Sequence, residues 1–247
     1  MPETNSVKST TKNPNKIAKT TARVLLGKAL GFRDCESSTL DTLVDNGSLR
    51  TLGKGEILAR RGEPYQALCL IVRGFIESSL MRQDGHRQLI GFLQAGDVAG
   101  LIGLIDGLGH VHDLRARDTD TTVLLIPAEI LRKFKAHDVK LSAAFELQLA
   151  FRSRLLYERL STDASIPVEA RVARLILTLS GLYGVSQDNE VRLGIKLSQV
   201  DLADWLGVSR QRINSAMNQL KTDGAIKLNY SNITIVDKEK LIAFATL

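Results

Sequence analysis

Residues 197–226, LSQVDLADWLGVSRQRINSAMNQLKTDGAI, read as two short helices joined by a tight turn. Ser198 is a good N-cap for a helix over residues 199–206, and Asp201 in its first turn suits the helix dipole. Gly207 ends that helix, and only Val208 separates it from Ser209, a second N-cap. Ile213, Ala216, Met217 and Leu220 then recur at helical spacing until Asp223 and Gly224. Helices joined this closely cross steeply, and Ala203 is small enough to let them do so. The opposite face of the second helix carries Arg210, Gln211, Asn214, Ser215 and Asn218 as one polar stripe. A plain helical hairpin would leave such a stripe to solvent. A helix lying in the major groove of DNA uses it to read bases, arginine suiting guanine and the amides adenine. The two caps, the small residue at the crossing and the amide-rich face favour this helix-turn-helix reading. Its expected DNA contacts are Ser198, Ser209, Arg210, Gln211, Arg212, Asn214, Ser215 and Asn218, with Arg212 turned from the bases toward phosphate.

Outward from this motif, a helix opened by Pro167 turns Val172, Leu175, Ile176 and Leu179 toward a core and stops at Gly184. Short strands are expected at 191–193 and 195–197, and a hairpin at 226–236 around residues 229–232. Together they describe a winged helix-turn-helix over residues 163–247. A long helix precedes it at residues 138–162, with a hinge at 161–165. Its apolar residues form two stripes, Ala144, Leu147, Phe151 and Leu155 on one and Phe145, Leu149, Leu156 and Leu160 on the other. One stripe packs on the chain's own core. The other calls for the same helix of a second copy, so Ala144, Leu147, Phe151 and Leu155 are the expected homodimer seam, with a wholly buried core helix as the alternative.

Residues 31–137 are different in character. After a short helix at 38–46 come short apolar or alternating runs at 56–59, 67–72, 75–80, 88–93 and 121–126, separated by Gly-containing turns. The connections are too short for crossover helices, which favours a β-roll or sandwich over an open parallel sheet. Residues 96–107, GDVAGLIGLIDG, read as a tight turn and a short helix packed on that roll. The fold class is therefore α+β: an N-terminal double-stranded β-roll, a long dimerisation helix and a C-terminal winged helix-turn-helix.

The chain of 247 residues has a net charge of +6, but its first thirty residues hold six basic residues against one acidic. The remainder is nearly neutral, so charge alone does not argue for nucleic acid. Residues 1–30 read as a flexible basic arm, rich in Ser, Thr, Asn and Lys. No run is apolar enough for a signal peptide or a membrane span, and a cytoplasmic protein is expected. Cys35 and Cys69 form neither a metal spacing nor a disulfide framework. Cys69, in an apolar run, reads as a buried small hydrophobe; Cys35, in a polar one, is the candidate for redox sensing. No phosphate loop and no nucleophile with a placed base suggest an enzyme.

The order of roll, long helix and winged helix resembles the Crp/Fnr family of bacterial transcription regulators over roughly residues 32–236. In the roll the resemblance rests on Arg61, Gly62 and Glu63, on Ile71, Val72, Arg73 and Gly74, and on Gly96, Asp97 and Gly100. In the DNA-binding part it rests on DLADWLGVSR, residues 201–210. It implies a homodimer on two-fold operator DNA, cytoplasmic, with RNA polymerase as a further partner if promoters are activated. It also implies that Arg210 reads guanine, whereas Gln211 and Ser215 replace a Glu and an Arg that read bases in family members, which changes the target sequence. Cyclic-nucleotide members grip the ribose with a Glu after the Gly-Asp turn and the cyclic phosphate with an Arg-Ser pair. The corresponding effector-pocket residues here are Gly100, Leu101 and Ile102, then His110 and Val111, so cyclic AMP is not expected as a ligand. The iron-sulfur branch needs four cysteines, and this chain has two. His110 and His112 form the one His-x-His of the sequence and support an alternative in which haem or a metal is sensed. A cupin-like metal enzyme would need a Glu after three or four intervening residues, where Ala116 and Arg117 stand.

Overall fold

The computed structural model describes residues 14–64, 66–160 and 165–246. In chain order the elements are α1 (Pro14–Leu26), a 3-10 turn (Phe32–Asp34), α2 (Ser37–Asp45), β1 (Ser48–Leu52), β2 (Ile57–Ala59), β3 (Ala67–Arg73), β4 (Phe75–Met81), β5 (Arg87–Gln94) and β6 (Val98–Ala99). They continue with α3 (Leu101–Asp106), β7 (Asp113–Ala116), β8 (Thr121–Pro127), α4 (Ala128–Lys135) and α5 (Val139–Leu160). The remainder is α6 (Val168–Tyr183), β9 (Gly184–Gln187), β10 (Glu190–Leu193), α7 (Gln199–Leu206), α8 (Arg210–Thr222), β11 (Ile226–Asn229), β12 (Asn232–Ile235) and α9 (Lys238–Ala245). The chain forms two compact units. One holds the described residues up to Glu77 together with Phe92–Ala150; the other holds Ser78–Gly91 and the described residues from Phe151 onward.

The first unit is built on two sheets, β1-β8-β3-β6 and β2-β7-β4-β5. Alternation along β3 explains how one sheet serves two cores. Cys69 and Ile71 point into the roll, where they meet Leu52, Ile76, Leu114, Ala116 and Val123. Leu68, Leu70 and Val72 point the other way, into a helical layer containing Phe32, Leu43, Leu131, Leu141 and Phe145. That double burial is why residues 67–73 read as a continuous apolar run. Gly31 lies in this layer at φ 80°, and a Cβ there would stand 2.6 Å from the Ala144 Cα, so the small pair lets α5 approach the chain closely.

Several expectations are corrected. The flexible arm over residues 1–30 holds no longer for Pro14–Leu26, which form α1 with Ala22 and Leu26 buried; residues 1–13 lie outside the described ones. Ala144 is no seam residue, because it is wholly buried in the core of its own unit beside Phe145. Leu147 and Phe151 of the same stripe are exposed, by 46% and 41%, and the side chain of Leu155 lies outside the described ones. The boundaries 31–137, 138–162 and 163–247 also shift, since the division between units falls inside α5 and the β4–β5 hairpin residues Ser78–Gly91 go with the C-terminal unit. The hinge falls mostly on residues 161–164, outside the described ones. Residues 195–197 form no strand; Ile195 and Leu197 are simply buried, and β9 pairs with β10 instead.

Candidate nucleic-acid interface

Ser198 caps α7 as its sequence predicts, in a full capping box: its Oγ accepts from the Asp201 N–H at 3.2 Å, and its own N–H donates to Asp201 Oδ2 at 2.9 Å. The hydroxyl proton goes to the same carboxylate oxygen, at 2.8 Å. Both Ser198 donors are thus engaged within the cap, so a phosphate contact would have to displace one of them. Gly207 ends α7 in the left-handed conformation, φ 65° and ψ 36°, with its N–H on the Ala203 carbonyl. Ser209 then caps α8 by accepting from the Arg212 N–H.

Ala203 is buried at the crossing, against an α8 face of Ile213, Ala216, Met217 and Leu220, all buried. From α6, Arg171 donates through Nη2 to the Leu206 carbonyl at the end of α7. The four predicted core positions of α6, Val172, Leu175, Ile176 and Leu179, are all buried. Two caps, one glycine and this apolar seam fix which way α8 turns, and the opposite face is left to solvent: Arg210, Gln211, Arg212, Asn214, Ser215 and Asn218 are all exposed, as is Ser209.

Within that stripe the amides are not independent. Gln199 Nε2 donates to Asn214 Oδ1 at 2.9 Å and Asn218 Nδ2 donates to the same oxygen at 3.3 Å. Both lone pairs of the Asn214 carbonyl are thus engaged, so reading adenine through it would mean exchanging these partners for the base. The wing is the β11–β12 hairpin, four residues a strand and joined through Tyr230 and Ser231. Tyr230 is fully exposed at φ 54°, a conformation costly for a side chain of its size. The hairpin lies where residues 226–236 predict it, with its turn inside 229–232; Tyr230 itself is not among the predicted contacts, although an aromatic residue in a two-residue turn that favours glycine is a detectable signal.

The residues matched to an effector pocket have unlike environments. Leu101 is buried in the helical-layer core, Ile102 and Val111 are exposed, and Gly100 is the left-handed residue preceding α3. His110 is half-buried, tied by its backbone to the 62–63 turn, its N–H on the Glu63 carbonyl at 2.9 Å and its carbonyl on the Gly62 N–H at 2.8 Å. Burial holds its imidazole below the ordinary value of 6.5, against the opposing charge of Glu63. These positions offer a cyclic phosphate no fixed positive charge and do not fit it. No group of three or more His, Cys, Asp or Glu side chains arranged to hold a metal occurs among the described residues. Elsewhere in the roll unit, Arg117 Nη1 meets Glu77 Oε2 at 3.0 Å, with Glu77 only 1% exposed and the guanidinium 5.4 Å from the centre of the Phe92 ring. Burial pushes the Cys69 thiol up to about 12; Cys35 is pushed up to about 11 by burial and then by Asp138, a direction that disfavours the thiolate on which redox sensing depends.

A family model described as Crp-like helix-turn-helix domain matches residues 170–244, and another described as Cyclic nucleotide-binding domain matches residues 49–138. The chain belongs to the Crp/Fnr family of transcription regulators. It is similar to the CRP-like cAMP-activated global transcriptional regulator of Mycobacterium tuberculosis, 24% identical over 88% of this chain and 96% of that protein. It is also similar to the Electron transport regulator A of Shewanella oneidensis, 25% identical over 83% of this chain and 81% of the other. The structure of FixK2 from Bradyrhizobium japonicum superposes with a TM-score of 0.71 at 24% identity, covering 80% of this chain and 96% of that one. As in the Crp/Fnr family, a roll precedes a helix-turn-helix, and the DNA-binding motif lies where residues 197–226 predict it. No helix among the described residues is long and apolar enough to cross a membrane.

Proposed function

We propose that this Crp/Fnr-family chain acts as a cytoplasmic homodimer, without enzymatic activity, that reads a two-fold operator by placing α8 of each copy in the major groove. The observation that carries this is the exposed stripe of Arg210, Gln211, Asn214, Ser215 and Asn218 on a helix whose opposite face is entirely buried. Arg210, at the N-terminal end of α8, reads a base, and Arg212, off the stripe's centre, meets phosphate. Arg210→Ala then lowers affinity by about 1–3 kcal/mol and relaxes preference at one base pair of each half-site, whereas Arg212→Ala weakens all sequences alike. Selection of bound duplexes from a random library checks this, and an unchanged consensus for Arg210→Ala removes that residue from base reading.

The signal is not a cyclic nucleotide bound through residues 100–102 and 110–111. A buried phosphate needs a fixed cation or several donors, and at these positions stand a buried leucine, two exposed aliphatics and a histidine whose pKa burial lowers, which disfavours its charged form. Titration calorimetry with cyclic AMP and cyclic GMP is expected to show no heat at micromolar nucleotide, and operator affinity is expected to be the same with and without either. Micromolar binding would overturn this.

A further inference from the structure

Arg87 opens β5 and lies in the hairpin segment Ser78–Gly91 that clusters with the C-terminal unit. Its Nη2 is 2.9 Å from Asp201 Oδ1 and 2.8 Å from Asp204 Oδ2, and its Nε is 3.0 Å from the same Asp204 oxygen. Asp201 and Asp204 stand three apart on α7, hence on one face, and one guanidinium spans both. The Asp201 side chain is only 4% exposed. It is also the carboxylate of the capping box that starts α7, so its second oxygen holds Ser198 while its first holds Arg87. The first helix of the DNA-binding motif is therefore fastened at its N-terminal turn by a residue 114 positions away in sequence. Strands β4 and β5, which carry the hairpin, continue past the limits of Ser78–Gly91 into the other unit.

We propose that Arg87 is a positioning residue for DNA binding: its fork on Asp201 and Asp204 holds α7, and through the Gly207 turn α8, in the orientation that engages the operator. This rests on the DNA-binding reading above. Without Arg87, the buried Asp201 keeps its cap bonds to Ser198 but loses this ion pair, which also ties it to Asp204, and α7 loses the fastening that the pair provides. A lysine keeps the charge but has one nitrogen where arginine uses two, so it cannot reproduce the Nε bond to Asp204 together with the Nη2 bonds to both carboxylates.

The test uses the full-length protein and the duplex that the wild type selects from a random library. Arg87→Ala is expected to lower affinity for that duplex by about tenfold or more at low salt while selecting the same consensus, because no base contact is touched. Arg87→Lys is expected to recover part of the loss, and the exchange Arg87→Asp with Asp204→Arg most of it. A role in stability alone would lower the melting temperature and leave affinity unchanged at a temperature where each variant is folded. An Arg87→Ala protein that is folded by circular dichroism and binds within about twofold of wild type, or tighter, overturns the proposal. If Arg87→Ala does not fold, Arg87→Lys decides: a loss of about threefold or more supports it and none overturns it. A wild-type protein that selects no duplex overturns the DNA-binding reading itself, and this proposal with it.

Discussion

His110 shows how a single half-buried residue ties stability to pH. Its folded value lies below the ordinary 6.5 because burial disfavours the imidazolium, so on acidification the unfolded chain takes up the proton first. The stability this residue supports is fully present above the unfolded value and is lost as the pH falls through 6.5 toward the folded value. The urea midpoint is expected to fall between about pH 7.5 and about pH 5, and the fall to be smaller in His110→Gln. An equal fall in both proteins would assign the acid sensitivity elsewhere. The chemistry of this residue was legible in the sequence to a point: a His-x-His is visible, but nothing in it shows that a backbone pairing with Gly62 and Glu63 holds His110 half out of water.

At the scale of elements, β4 and the end of β7 are joined by a buried charge that alternation alone does not disclose. Arg117 follows β7 directly and Glu77 sits within β4, at the head of the buried polar run Glu77, Ser78 and Ser79. Arg117→Met leaves Glu77 buried without this cation and is expected to cost about 3–5 kcal/mol, while the double change Arg117→Met with Glu77→Leu recovers most of that. Urea unfolding of the two single variants and the double one measures the coupling; purely additive losses would show that the pair does not act as a unit. The elements that sequence reading missed share a cause. β6 has two residues and β7 four, too few for a period to show, and β1 buries little besides Leu52. In α1 a Lys- and Thr-rich composition hides the spacing of Ala22 and Leu26, and α9 is eight residues long with one buried leucine.

For the whole molecule, the proposed homodimer draws on the exposed part of α5. Leu147 and Phe151 lie one turn apart and are both exposed, with Leu156 and Tyr157 exposed beyond them. An apolar stripe of this kind on a long helix is accounted for by the same helix of a second copy. The wild type is therefore expected to sediment as a dimer at micromolar concentration, and Phe151→Asp as a monomer with weakened operator binding, since two half-sites need two recognition helices. A monomeric wild type would refute the arrangement.

The sequence by itself determined the helix-turn-helix, its caps, the direction of its polar stripe, and the order of roll, long helix and winged helix. All of these are local: a cap, a period of 3.6 or 2, a glycine turn or a residue at a matched position is complete within a few neighbours. Only the tertiary structure decided that Ala144 faces Gly31 and the core, that Leu101 is buried rather than lining a pocket, that Glu77 is paired with Arg117, and that Arg87 holds Asp201 and Asp204. Each of these joins residues far apart along the chain. An apolar stripe on a helix states that it must be covered but not by what, and a charged residue in a strand carries no record of the distant side chain that neutralises it.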